Sequence, residues 1–109
     1  MKITDIKVRK LFQDAGPMRA VVSVTFDGQL ALHDIKVINA KNRLFIVMPS
    51  RKNPDGTFRD IVHPITADFR SELETSVIEA YRKALEIFEE ELAAGTAAEE
   101  RPEETVLSV

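Results

Sequence analysis

A change of hydrophobic period near Pro64 constrains the fold of this chain more than any other feature. Before Pro64, short segments rich in apolar and β-branched residues alternate with turn signals, which is typical of β-strands. After it, apolar residues recur every three or four positions from Leu73 to Leu92, which indicates one long amphipathic helix. The sequence therefore predicts an α+β fold, in which a small antiparallel β-sheet is followed by a long C-terminal α-helix.

About five segments carry the strand pattern, and short connections between them favour an antiparallel meander. The predicted strands are residues 3–11, 18–26, 30–38, 44–48 and 58–62. Asp27-Gly28 is a strong hairpin signal, and the apolar parity switches at His33-Asp34, which indicates a bulge or a bend. The unbroken apolar run 44–48 is expected to be buried on both faces, either centrally in the sheet or under a partner.

The helical segment has an apolar stripe and two candidate start signals. The stripe consists of Leu73, Val77, Tyr81, Ala84, Phe88 and Leu92. Thr66 or Ser71 can cap the helix, and Ser71 also begins a capping box, so we expect a helix over 72–94. Its length of about 34 Å exceeds what so small a sheet can cover. The far end is therefore expected to protrude or to pack on a second subunit.

Length and composition indicate a single domain. We place the domain at residues 1–94, and we expect the acidic segment 95–109 to be a disordered tail. The sequence has no cysteine, no apolar run near the ~20 residues that span a bilayer, and no signal-peptide pattern. These features predict a cytoplasmic protein without a membrane segment.

Charge is distributed unevenly along the chain. Residues 1–70 contain twelve Lys and Arg against seven Asp and Glu, whereas residues 71–109 contain three against eleven. This asymmetry predicts a basic working surface with an acidic appendage. The overall pI near 5.4 therefore does not exclude a nucleic-acid partner.

The segment from Pro49 to Pro64 contains the strongest candidate site. Arg51, Lys52 and Arg59 flank the turn Asn53-Pro54-Asp55-Gly56, which favours a type I turn with a glycine bulge. One register consistent with that bulge places Arg51 opposite Arg59, and an anion between them would relieve their repulsion. Arginine also suits phosphate better than lysine does. The alternative is a solvated hairpin tip whose charges only keep the protein soluble.

The remaining polar residues offer weaker candidates. His33-Asp34 with Asp60 and His63 would be needed for a metal site or an acid/base pair, but neither spacing matches a ligand motif. A histidine hydrogen-bonded locally at a strand bend is the more ordinary interpretation. The sequence also contains no phosphate-binding glycine motif and no serine-hydrolase motif. We therefore expect no catalytic residues, metal, cofactor or small-molecule substrate.

Six segments of the chain form a recognisable set: Met18-Arg19-Ala20, Val37-Ile38, the run from Leu44 to Lys52, Pro54-Asp55-Gly56, Phe58-Arg59-Asp60-Ile61 and His63-Pro64-Ile65. Together they resemble the SpoVG family, the stage V sporulation protein G family of bacteria. The resemblance implies a homodimer with a role in sporulation and division-septum control, acting by site-selective DNA binding and, in some members, RNA binding. The family's nucleic-acid contacts fall here on Arg51, Lys52 and Arg59.

The resulting hypothesis is a two-fold dimeric, non-enzymatic regulator that binds DNA or RNA through the segment 49–64. Such binding would consist mostly of backbone contacts and would depend strongly on salt. The competing hypothesis is a protein–protein adaptor in cell division, in which the hairpin or the acidic helix end docks on another protein and nucleic acid is incidental.

Overall fold

The computed structural model describes residues 1–14 and 16–93, together with the backbone of 105–108. Its elements are β1 (Ile3–Leu11), β2 (Met18–Phe26), β3 (Leu30–Ala40), β4 (Arg43–Val47), β5 (Ser50–Lys52), β6 (Phe58–Asp60), α1 (Ala67–Ala93) and β7 (Thr105–Ser108). The main antiparallel sheet has the order β4-β3-β2-β1-β7, and β5 pairs with β6 in a separate hairpin. The predicted α+β class, with a meander followed by one long helix, is confirmed.

The turns and the bulge of the meander form where the local sequence predicts them. Asp27 and Gly28 have φ values of 53° and 63°, the left-handed pair that a two-residue hairpin turn requires. Lys41 and Asn42 adopt similar values between β3 and β4. The β2–β3 register shifts between Val22 and Val24, and Asp34 has a φ of 64° opposite that shift. The predicted irregularity at His33-Asp34 is therefore confirmed as a β-bulge.

The hydrophobic core lies between one face of the sheet and one face of α1. The sheet contributes Ile6, Val8, Val22, Val24, Ile35 and Val37, and the helix contributes Leu73, Val77, Ala80, Tyr81, Ala84 and Phe88. The predicted helical stripe is thus confirmed as far as Phe88. Leu92 is 48% exposed, so the last turn of the helix extends beyond the core.

The helix begins earlier than the capping box predicts. Thr66 accepts a hydrogen bond on Oγ1 from the amide of Phe69 at 3.2 Å, which is the geometry of an N-cap. Ser71 lies inside the helix and is exposed. With 27 residues, α1 is about 40 Å long. The predicted start at Glu72 was wrong because an earlier threonine already satisfies the free amides of the first turn.

Strand β4 lies at the edge of the sheet, so the prediction of a central position was wrong. Ile46 is buried against the helix side of the sheet, whereas Phe45 and Val47 are half-buried on the opposite face. There the register places Phe45 beside Ile38 and Val47 beside Lys36. Neighbouring side chains within the sheet therefore account for the continuous apolar run. Cover by a partner stays a prediction.

The fifth predicted strand, residues 58–62, is shorter than expected and lies outside the main sheet. It forms β6, which ends at Asp60 and pairs with β5. The main sheet has a fifth strand that was not predicted, because the C-terminal strand β7 pairs with β1. Residues 105–108 fall within the segment 95–109 that was expected to be a disordered tail, and that expectation stays a prediction. Residues 95–104 and 109 lie outside the described residues.

Candidate nucleic-acid interface

The hairpin of β5 and β6 projects from the sheet between β4 and α1. Pro49 has no amide hydrogen to continue the ladder of β4, and its carbonyl accepts the amide of Ile61 at 2.9 Å, which closes the base of the hairpin. All six strand residues are exposed, and among the described strands each pairs only with the other. Its side chains are therefore accessible to a large ligand.

The tip of the hairpin has the predicted turn. The amide of Gly56 donates to the carbonyl of Asn53 at 3.0 Å, and the amide of Asn53 donates to the carbonyl of Thr57 at 2.7 Å. Gly56 has a φ of 91°, which favours glycine over any residue with a side chain. These bonds and this φ belong to a type I turn followed by a glycine bulge, which confirms the prediction.

Asp55 reinforces the turn with its side chain. Its Oδ1 accepts the hydroxyl of Thr57 at 2.6 Å and the amide of Thr57 at 3.0 Å. Asn53 Nδ2 donates to the same hydroxyl oxygen at 3.0 Å. The hydroxyl bond first, and the amide bond second, lower the pKa of Asp55 below its ordinary value. The carboxylate is thus ionised and held within the turn.

The register divides the three predicted contact residues between two faces of the hairpin. Arg51 lies directly opposite Arg59, so these two side chains share one face, as predicted. Lys52 lies opposite Phe58 and projects to the other face. None of the three cations forms an ion pair with a residue that the structure describes. The hairpin therefore presents an arginine pair on one side and a lysine beside an aromatic ring on the other.

Phe58 is a further candidate residue that the sequence reasoning missed. Its side chain is 71% exposed, although a phenylalanine in a strand is usually buried. Exposed aromatic rings next to cations are the groups on which unpaired nucleic-acid bases stack. The signal was available in the register: once Arg51 is placed opposite Arg59, Lys52 must lie opposite Phe58.

The two histidines have separate surroundings. His33 Nδ1 lies 2.8 Å from Ser23 Oγ, which also accepts Arg9 Nε at 3.2 Å on the sheet face opposite the helix. The predicted local hydrogen bond of His33 is therefore confirmed. His63 lies in the loop before α1, beside an apolar depression that includes Phe69. Within the described residues, no three His, Asp or Glu side chains are grouped as metal ligands.

Among the described residues, no helix is both long enough and apolar enough to cross a bilayer.

The fold and the hairpin define a class of small α+β proteins, in which one helix covers an antiparallel meander and a basic hairpin projects from it. The sequence model of the SpoVG family matches residues 1–83, which include the meander, the hairpin and most of α1. The chain therefore belongs to the SpoVG family.

Individual relatives support this assignment over nearly their whole length. Three proteins named "Putative septation protein SpoVG" illustrate the range of similarity. That of Caldanaerobacter subterraneus subsp. tengcongensis is 59% identical over 86 residues, covering 79% of this chain and 93% of the relative. That of Acetivibrio thermocellus is 57% identical over 81 residues, covering 74% and 85%. That of Clostridium botulinum strain Alaska E43 is 52% identical over 86 residues, covering 79% and 93%.

Proposed function

We propose that this protein is a homodimeric, non-enzymatic regulator of sporulation or division-septum formation that binds DNA, and also RNA, through its projecting hairpin. One observation carries the proposal: Arg51 and Arg59 lie opposite each other on an exposed face, and neither has an ion-pair partner among the described residues. Two cations held together without an anion are an electrostatic cost that a phosphate group removes.

The opposite face of the hairpin supports a second kind of contact. Lys52 can neutralise a backbone phosphate, while the ring of Phe58 can stack on a base that is not paired. A duplex offers phosphates to both faces but no free base to Phe58. The proposed contacts therefore position nucleic acid mainly through its backbone, and single-stranded regions gain the stacking contribution in addition.

The proposed dimer is supported by an apolar surface near the base of the hairpin. Met1, Leu30, Val62 and Ile65 line one depression, and Ile65 is 88% exposed. A contiguous apolar surface of this kind is typical of a protein–protein interface. A second copy on this surface would give the dimer two hairpins. Linking two weak phosphate sites in this way raises the overall affinity without any new contact.

Fluorescence anisotropy with labelled random-sequence duplex DNA and single-stranded RNA tests the proposal. The key variant combines Arg51→Ala, Lys52→Ala and Arg59→Ala. The matched control combines Lys2→Ala, Lys10→Ala and Lys83→Ala, which removes the same charge from exposed positions elsewhere. Six phosphate contacts per dimer predict that the logarithm of affinity falls with the logarithm of salt concentration with a slope of about −5 for duplex DNA and about −4 for single-stranded RNA. We expect the hairpin variant to lose that slope and the control to retain most of it.

Two results would contradict this function. If the hairpin variant binds as tightly as the wild type at about 0.15 M salt, the hairpin is not the contact surface. If the wild type binds neither nucleic acid at low salt, a protein–protein adaptor becomes the better interpretation. The dimer is tested separately by size-exclusion chromatography of Ile65→Asp, which should elute as a monomer if the apolar depression forms the interface.

A further inference from the structure

A groove separates the free edge of β4 from the N-terminal half of α1. The amide of Ile46 donates to Oε2 of Glu74 on α1 at 3.4 Å, so this amide faces away from β3. Because alternate residues of an antiparallel edge strand face outward, the amide and carbonyl of Leu44 and the carbonyl of Ile46 also point away from the sheet. The amide of Leu44 has no hydrogen-bond partner within the described part of the chain. One wall of the groove therefore consists of outward-facing backbone groups of β4, of which the amide of Ile46 is bonded to Glu74.

The side chains of the groove give it an excess of positive charge. Its lining residues are Ala40, Lys41, Arg43, Phe45, Ile46, Arg70 and Glu74. Lys41 and Arg43 come from the β3–β4 turn and the start of β4, whereas Arg70 comes from the first turns of α1. None of these three cations forms an ion pair with a described residue. Three cations thus face one carboxylate.

We infer that this groove binds an acidic peptide segment in an extended conformation, which adds to the sheet as a strand alongside β4. An edge strand with an adjacent helix recognises peptides in this way, because the backbone supplies the hydrogen bonds and the flanking side chains select the residues. The free groups of Leu44 match the backbone of a peptide, whereas nucleic acid has no corresponding row of donors and acceptors. Lys41, Arg43 and Arg70 then select carboxylate side chains.

This site is separate from the hairpin. Arg43 begins β4, and Arg51 follows eight residues later, beyond the other end of that strand. No residue that lines the groove belongs to the hairpin, and the hairpin cations line a different depression. A ligand of a few residues in the groove therefore does not reach the hairpin cations, and the two surfaces can be disabled one at a time.

Glu74 competes with a peptide ligand for the amide of Ile46 in this groove. Its bond to the amide of Ile46 is long at 3.4 Å, so the amide is only weakly satisfied. A peptide carbonyl would replace Glu74 at that amide, and the Glu74 carboxylate would repel an acidic ligand. A charged group over an exposed edge is also a common protection against unwanted strand pairing. We therefore expect Glu74→Ala to bind an acidic peptide more tightly than the wild type does.

NMR titration of the full chain provides the test, with a capped five-residue peptide of alternating Glu and Thr, the length of β4, as the probe. The amides of Leu44 and Ile46 should shift most. The variant Arg43→Gln/Arg70→Gln should bind about fivefold more weakly, as expected for the loss of two exposed ion pairs. The matched control Arg51→Gln/Arg59→Gln has the same net charge and should bind as the wild type does. N-methylation of alternate peptide amides should abolish binding at one parity and spare it at the other.

Each other outcome overturns the inference. No shift at Leu44 and Ile46 at millimolar peptide excludes the site. Equal tolerance of methylation at both parities means that charge alone attracts the peptide. Loss of oligonucleotide binding, with peptide binding unchanged, in Arg43→Gln/Arg70→Gln makes the groove a nucleic-acid surface. A change of oligomeric state in that variant makes β4 a contact between copies. The peptide titration does not depend on the hairpin cations, because the hairpin variant keeps the groove intact. If the hairpin fails to bind nucleic acid, the outcome of the peptide titration is therefore unchanged.

Discussion

Reversing the charge of Arg59 should affect the stability of the hairpin and its binding of nucleic acid in opposite directions. In the wild type, Arg51 faces Arg59, and like charges in that position destabilise a strand pair. Arg59→Glu replaces this repulsion with an attractive pair, and each cross-strand pair contributes about 0.2–1 kcal/mol. The combined gain is about 1 kcal/mol. Because β5 and β6 pair with no described strand of the main sheet, the gain is local to the hairpin.

Amide hydrogen exchange measures that local gain. The amides of Asn53 and Ile61 are hydrogen-bonded at the tip and at the base of the hairpin, at 2.7 and 2.9 Å. A gain of about 1 kcal/mol slows the exchange of both about fivefold. Nucleic-acid binding should weaken, and its salt slope should fall by about 0.9 for each lost phosphate contact, or about 1.8 for a dimer.

The control for this prediction is Lys2→Glu, which changes the net charge equally at an exposed position outside the hairpin. It should leave the exchange of Asn53 and Ile61 unchanged and should reduce binding only slightly. Faster exchange in Arg59→Glu would refute the argument from the register. Equal loss of binding in both variants would show that net charge, and not the arginine pair, governs affinity.

Three further predictions concern the core, the helix cap and the turn. Phe88→Ala should lower the unfolding free energy by about 3–5 kcal/mol in urea denaturation, because Phe88 is only 1% exposed. Leu92 is 48% exposed, so Leu92→Ala should change the unfolding free energy by no more than about 0.5 kcal/mol. Equal effects of the two substitutions would contradict the assignment of the core boundary. Thr66→Ala should cost about 1 kcal/mol and lower the melting temperature by about 4–8 °C, and Thr66→Ser should retain most of the stability. The bonds from Thr57 lower the pKa of Asp55 below its ordinary value of 3.8. The carboxylate therefore stabilises the turn fully at pH values above the ordinary pKa, and this stabilisation is lost as the pH falls through the lower pKa of the folded protein. An NMR titration of the Asp55 carboxyl with a midpoint at or above pH 3.8 would disprove this.

The features that could be predicted from the sequence are those that depend on local chemistry. Asp27-Gly28 specifies a turn with two left-handed residues, and Gly56 specifies the bulge at the hairpin tip. These turns fix the register of the strands beside them, which is why the opposition of Arg51 and Arg59 was also predictable. The helical stripe could be predicted for a similar reason, since its period depends only on the geometry of the helix.

The features that could not be predicted depend on contacts between distant segments. An apolar run such as 44–48 shows that side chains are covered, but it does not show whether a second strand lies alongside. The pattern in 58–62 likewise indicates a strand, but it does not show that the pair with β5 stands apart from the main sheet, and the pairing of β7 with β1 was not predicted. The exposure of Phe58 was missed because apolar content alone suggested burial.

The separation of the hairpin from the core has a consequence for the proposed function. A hairpin of two short strands is marginally stable by itself, and here the repulsion between Arg51 and Arg59 lowers its stability further. A phosphate that binds between the arginines removes this repulsion, so the observed affinity includes the free energy gained by the hairpin. By linkage, nucleic acid should then slow amide exchange at Asn53 and Ile61 in the wild type. The effect should be smaller in Arg59→Gln, where the repulsion is already absent, and core amides should be unaffected in both proteins.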